Sequence, residues 1–332
     1  MVSKETLVCG MPLKYLSLAL LCLQNSGAVI IMRYTRSIPS ERLYLTASAV
    51  VMGELFKVCM STVFLLHGGG SLSEVSANPM ELLKTGVPAF LYLVQNNLQY
   101  VAVSNLPAAT YQVTYQLKIL STALMSVALL RKQITRTKWI ALLLLTMGVA
   151  AVQLSSMEGS GTSTAEAINM PIGLSATIAA CCCSGLAGVY FEKILKGSDV
   201  SLWVRNIQLG MYSIVIGMGG IYMTPSVAEK VAENGFFYGY TSTTLFNIAV
   251  QGGGGLMIAV VIKYADNILK NFSTAISIIV SSIYSWLFMG FQLSYLFAIG
   301  VGLVNYAVWL YGRTPAGRDL LPNKTSPTPA YR

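Results

Sequence analysis

Charge is scarce in this sequence. Asp, Glu, Lys and Arg supply 11% of its 332 residues, whereas soluble domains carry about 25%, and 54% of the chain is hydrophobic. Lipid rather than water is the solvent that suits such a composition. Histidine occurs once, as His67, so a zinc site or a His-based catalytic triad has almost nothing to work with. The six cysteines (Cys9, Cys22, Cys59 and Cys181 to Cys183) show neither CxxC nor Cys/His spacing, and five lie in apolar segments. They read as small packing residues, not disulfides or metal ligands. No metal or cofactor is expected. The first apolar segment, Leu13 to Met32, is too long for a signal-peptide core and lacks a convincing cleavage site; a signal anchor and first span is expected. The net charge of +9 is spread over short loops instead of forming one patch, which argues against a nucleic-acid partner.

What the chain has in abundance is long apolar runs. A helix needs roughly 20 apolar residues to cross about 30 Å of hydrocarbon. Ten such segments are expected, at 12–32, 43–66, 85–104, 108–130, 137–155, 170–195, 202–223, 243–264, 271–289 and 291–311. The fold class is therefore an all-α integral membrane protein with the lipid bilayer as its environment. Ten spans put both termini on one side. Sixteen of the 22 Lys and Arg residues then lie on that side and four on the other, with Lys57 and Lys118 inside spans. By the positive-inside rule both termini are cytosolic. The Ser/Thr/Gly-rich stretch before Met170 reads as a flexible lumenal connection, and the proline-containing tail as disordered. The organisation is thus an N-terminal five-helix repeat (1–155), a linker (156–169), a C-terminal five-helix repeat (170–312) and a cytosolic tail (313–332).

Five spans per half would make the second half enter the membrane inverted, as in many secondary transporters. One local echo of duplication is present. Lys118–Ile–Leu–Ser121–Thr122–Ala123 in the fourth span resembles Lys270–Asn–Phe–Ser273–Thr274–Ala275 at the start of the ninth, with four of six positions identical. The match would set two lysines at equivalent points of the two halves. Two cations converging on one cavity suit a solute with clustered negative charge, and lysine binds phosphate as a point charge.

A charge at the bilayer centre costs about 2.5–3.5 kcal/mol on insertion scales, so each one needs a partner or a function. Glu54 and Lys57 lie three apart on one helix face; an internal ion pair and direct solute contact are both open readings. Lys118 has no carboxylate within a turn or two, and its neighbours include Tyr111, Gln112, Tyr115, Gln116 and Thr122. That group reads as a solute-lining stripe. In the third span Tyr92 and Asn96 share a face, offering a ring to stack on and an amide that suits a nucleobase edge. Amide hydrogen bonding between helices is the alternative. The run Gly252 to Gly255 is not a phosphate loop, because no Gly-Lys-Ser/Thr follows it; close helix packing is the expected role.

Several of these stretches together resemble a known family. Gln95–Asn–Asn–Leu–Gln–Tyr100, Tyr111–Gln–Val–Thr–Tyr–Gln–Leu–Lys118, Gly188–Val–Tyr–Phe–Glu–Lys–Ile–Leu–Lys–Gly197, Trp203–Val–Arg–Asn–Ile–Gln–Leu–Gly210 and Lys263–Tyr–Ala–Asp–Asn–Ile–Leu–Lys270 are similar to motifs of the nucleotide-sugar transporters of the drug/metabolite transporter superfamily. The similar branch carries UDP-galactose, UDP-N-acetylglucosamine and CMP-sialic acid. The resemblance implies a ten-span inverted-repeat fold in the Golgi membrane that exchanges a nucleotide sugar for a nucleoside monophosphate. It further implies that Tyr92 and Asn96 contact the nucleobase, and that Tyr111, Gln112 and Tyr115 line the nucleoside and sugar region. Lys118 and Lys270 would bind phosphate, Lys57 would lie near the sugar, and Asn206 and Gln208 would shape the sugar end. Gln208–Leu–Gly210 and the Lys263–Lys270 run look closer to the UDP-sugar members; a CMP-sialic acid/CMP exchanger is the alternative. Homodimerisation stays open.

An integral glycosyltransferase or phosphotransferase would be the enzymatic reading. Such enzymes need clustered acidic residues for a metal, and Glu54, Glu192 and Asp266 are far apart in sequence. A secondary transporter and not an enzyme is expected. An exporter of small metabolites or drugs is the third reading.

Overall fold

Four helices of this chain start where a polar side chain satisfies free amides of the first turn. In the computed structural model, which describes residues 7–8, 11–37, 44–106, 108–158, 169–288 and 294–313, Asn78 accepts from the amides of Met80 and Glu81 at the head of α4 (Pro79–Asn105). Asn169 accepts from Ile172 at the head of α8 (Met170–Lys196). Ser201 and Thr241 do the same for α9 (Leu202–Met223) and α11 (Ser242–Tyr264). Pro79 and Pro171 stand in first turns, where a missing N–H costs nothing.

The remaining helices are α1 (Leu13–Ser37), α2 (Thr46–His67), α3 (Ser73–Ser76), α5 (Ala108–Tyr115), α6 (Lys118–Leu130), α7 (Arg136–Glu158), α10 (Pro225–Asn234), α12 (Asn267–Phe288) and α13 (Tyr295–Arg313). A two-residue antiparallel pair, Leu7–Val8 with Met11–Pro12, precedes α1. Helices therefore occupy the segments expected from the sequence. Among the described residues seven helical stretches combine the length and apolarity to cross a membrane, and an eighth is added if α9 and α10 are taken together across their 89° bend. At 25 and 27 residues α1 and α4 also have the length; in α4 the polar residues Gln95, Asn96, Asn97 and Gln99 lower the apolarity.

Two boundaries also differ. The fourth segment is interrupted: Gln116, Leu117 and Ile119 donate to carbonyls three residues back, a tight 3₁₀-type turn that separates α5 from α6. Helix α7 continues to Glu158, into the expected linker. The rest of that linker to 168, the junction at Gly290 and the tail from 314 lie outside the described residues.

The helices pack α7 on α13, α4 on α8, α2 on α9 and on α11, α6 on α8, α1 on α11 and α12, and α4 on α9. Small residues permit the closest crossings. A Cβ at Gly148 would stand 2.9 Å from the Gly300 carbonyl oxygen, and one at Gly300 would stand 2.8 Å from that of Gly148. The largest apolar cluster, with Ile119, Leu142, Leu145, Val152, Phe272 and Phe297, joins α6, α7, α12 and α13. Outside, large apolar side chains stay uncovered, Leu23 at 65% and Val215 at 72% exposure among them. Such a surface is unfavourable in water and suited to acyl chains.

Candidate functional site

Three groupings hold the candidate residues. The first lies between α2 and α11. Glu54 and Lys57 come together there as an ion pair of 2.5 Å, the internal neutralisation that their i,i+3 spacing allows. Both line a cavity of 310 Å³, with Tyr44, Asn247, Gln251 and Gly255 on its wall. Lys57 is buried, and glycines make room for its stem. A Cβ on Gly255 would lie 3.0 Å from its Cδ, and one on Gly210 would lie 3.7 Å from its Cε. Gly252 serves packing, since a Cβ there would meet the Phe56 ring at 2.7 Å and the Gly53 carbonyl oxygen at 2.9 Å. Lys57 thus reaches the cavity along a channel that side chains on the facing helices would close.

The second grouping forms at the α5–α6 break. Tyr111 and Tyr115, one turn apart, stack with ring centroids 5.5 Å apart, and the Lys118 ammonium stands 4.5 Å above the centroid of Tyr115. A cation at this distance from an aromatic face is stabilised, by more when desolvated. Gln95 and Gln99 of α4 both donate to the Tyr115 hydroxyl oxygen, which holds the ring in place. Cys181 of α8 donates to the Tyr115 carbonyl oxygen. Lys118 heads α6 and Lys270 stands in the first turn of α12, two helices that pack on each other. Neither lysine has a carboxylate within ion-pair distance among the described residues. The echo in sequence is matched in hydrogen bonding. Thr122 donates to the Lys118 carbonyl at 2.8 Å and Thr274 to the Lys270 carbonyl at 3.1 Å. Thr122 is thereby turned to the backbone and buried.

The third grouping belongs to α9. Asn206 is 1% exposed and donates to the Leu202 carbonyl. Gln208, also 1% exposed, donates to the Val75 carbonyl and accepts from Thr85 and Arg205. These bonds tie α9 to α3 and α4 and leave both amides turned into protein. Tyr92 is half-buried and Asn96 exposed on α4; the Gln112 side chain lies outside the described residues. Of the eleven residues expected at the site, Glu54 and Lys57 line the cavity.

Two charge networks escaped the sequence reading. Arg205 is wholly buried and donates to the Glu81 carboxylate and backbone carbonyl, Thr85, Ser198 and Gln208. It counts among the cytosolic-side cations in the charge tally, yet its side chain is buried in the first turn of α9, where a charge demands a partner. Glu192, 0% exposed, accepts from Lys132, Lys196 and the Asn267 amide. Lys132 also pairs with Asp266 at 3.5 Å. Glu192 and Asp266 therefore share one cation across the ends of α8 and α11, a correction to their separation in sequence. They form part of an ion-pair network; no cluster of three metal-binding side chains occurs among the described residues.

Long apolar helices with a lipid-suited exterior and desolvated cations inside define a multi-pass membrane protein. Residues 9–312 match the family described as nucleotide-sugar transporter. The chain is 46% identical to the UDP-galactose translocator of Bos taurus, over 95% of this chain and 82% of that protein. It is 45% identical to the UDP-galactose transporter of Schizosaccharomyces pombe (91% and 88% covered) and 46% identical to the UDP-N-acetylglucosamine transporter of Mus musculus (91% and 96% covered). A solved crystal structure shares the fold with a TM-score of 0.65 at 16% identity, covering 90% of this chain and 96% of that one. The chain belongs to the nucleotide-sugar transporter family.

Proposed function

We propose that this protein is a nucleotide-sugar:nucleoside-monophosphate antiporter that brings a UDP-sugar, UDP-galactose and/or UDP-N-acetylglucosamine, into the Golgi lumen in exchange for UMP. The single observation that carries the reading is the Lys118 ammonium held over the Tyr115 ring of the Tyr111–Tyr115 stack, at the head of a helix that packs on the α12 of Lys270. A nucleotide sugar and its monophosphate share base, ribose and phosphate, so one site can hold both. An anion between the lysines offsets a repulsion that an empty site retains. Empty reorientation is then costly, which couples influx to efflux. Lys118 and Lys270 take the phosphate, Tyr111 and Tyr115 with Tyr92 and Asn96 the nucleoside, and Lys57 the sugar end. The relatives' descriptions as carriers of UDP-sugars favour UMP over CMP as the counter-substrate.

Ten spans as two inverted five-helix repeats, with both termini cytosolic, complete the reading. Helix packing supports the pseudo-symmetry. Exchanging each helix of 1–155 for its counterpart in 170–312 converts the α4–α8 contact into α1–α11, α6–α8 into α1–α12 and α4–α9 into α2–α11, and leaves α2–α9 and α7–α13 in place. Such symmetry lets one arrangement open to either side by alternating access.

Proteoliposomes test the exchange. Vesicles preloaded with UMP should accumulate labelled UDP-sugar well above empty vesicles, and equal uptake would sink obligatory exchange. A binding panel of UMP, CMP, GMP and AMP should select UMP; selection of CMP would favour the CMP-sialic acid reading.

A further inference from the structure

Helix α9 is 22 residues long, about 33 Å at 1.5 Å per residue, which matches the roughly 30 Å of a hydrocarbon core. Its last residue, Met223, is 84% exposed, and at Thr224–Pro225 the chain turns by 89° into α10. A helix perpendicular to a span, attached at the span's end, runs along the membrane surface. Helix α10 buries none of its ten residues. At 100° per residue Val227, Ala228, Val231 and Ala232 occupy one side, and Ser226, Glu229, Lys230 and Glu233 the other. That division is the signature of a helix lying in the headgroup layer.

Beyond α10 the chain leads back to the cavity. Gly235, at φ +86° with open space around it, ends the helix in a conformation that other residues rarely adopt. Phe236 and Phe237 then pack edge to face at 5.1 Å, with Phe237 60% exposed. Phe237 meets Tyr240 at 5.5 Å. The Tyr240 hydroxyl bonds to Ser48 of α2 at 3.1 Å, and its ring meets Tyr44 edge to face at 6.3 Å. Tyr44 in turn accepts from Asn247 at 3.5 Å. Tyr44 and Asn247 both line the cavity.

We propose that α10 and the aromatic turn Phe236–Tyr240 form a lipid-seated foot: the Val227/Val231 side rests in the headgroup–acyl boundary of the leaflet at the cavity mouth, and Tyr240 transmits its position to the cavity rim through Ser48 and Tyr44. The occupant of this face is the bilayer itself, because α10 is continuous with a span that ends at the bilayer boundary. The seat is independent of which solute is carried.

The test uses the full chain in phosphatidylcholine nanodiscs, in a background with the native cysteines replaced that keeps its thermal melt. Nitroxide labels on Val227→Cys and Val231→Cys should be reached several-fold better by oxygen than by a water-soluble nickel chelate, and labels on Glu229→Cys and Glu233→Cys should show the reverse. Equal access at all four positions would overturn the seat, and shielding of 227 and 231 from both reagents would replace lipid by a protein contact. Should the valine variants fail to fold, the two glutamate positions carry the test alone, and oxygen preference there would overturn it. For the link to the rim, Tyr240→Phe should raise the mobility of a label on Val50→Cys in the cavity wall. An unchanged spectrum would break that link.

Discussion

Arg205 donates to the Glu81 carboxylate from a position with no exposure at all, across 124 residues of sequence. The pair joins the first turn of α9 to the first turn of α4. Removing one partner of a buried pair leaves the other charge desolvated and alone, at a cost of about 3–5 kcal/mol. Arg205→Met should therefore lower the melting temperature in detergent sharply. The double variant Arg205→Met/Glu81→Leu should recover part of the loss, because no unpaired charge remains. A double variant no better than the single one would show that the pair does not carry the coupling.

Under the proposed phosphate assignment, Lys118 and Lys270 converge on one anion and repel each other in its absence. Substituting either by Met should raise the melting temperature of the unliganded protein while abolishing the stabilisation that UMP confers. Lys118→Ala or Lys270→Ala should weaken UMP binding more than uridine binding. Equal losses for both ligands would remove the phosphate assignment.

Glu54 and Lys57 distinguish an ion pair from a solute contact by a double-mutant cycle on stability and binding. Removing Glu54 alone should destabilise, since Lys57 is buried, and Glu54→Ala/Lys57→Ala should regain stability without regaining affinity for UDP-sugar. Full affinity in the double variant would make the pair purely structural.

Glycines at crowded and open positions should respond in opposite ways. Gly148→Ala and Gly300→Ala each drive a methyl against a facing backbone carbonyl, and overpacking of this kind costs about 1–3 kcal/mol. Gly219, with open space around it, should accept Ala with a small gain from helix propensity, roughly 0.5–1 kcal/mol. Thermal melts of the three variants side by side give the comparison.

The candidate residues stood out in sequence where one of them broke a local rule. Lys57 and Lys118 are cations in apolar runs, and the insertion cost alone marks them. The Lys118 and Lys270 hexapeptides echo each other in plain letters, and their threonines make the same backbone hydrogen bond. The partners of Gln208 were not legible, because Val75 and Thr85 reach it from other helices. Arg205 was hidden by its place at a helix start, where a cation passes for a loop charge.

An all-helical chain immersed in lipid is dictated by composition and run length, since those quantities decide which solvent the surface can face. The partners of each buried charge are not. Which carboxylate reaches Arg205, that Glu192 and Asp266 share Lys132, and that the fourth segment breaks just before Lys118 all depend on helices far apart in sequence lying side by side. Distances across a bundle are set by packing, above all by where glycines let backbones touch, and a one-dimensional pattern holds no measure of them.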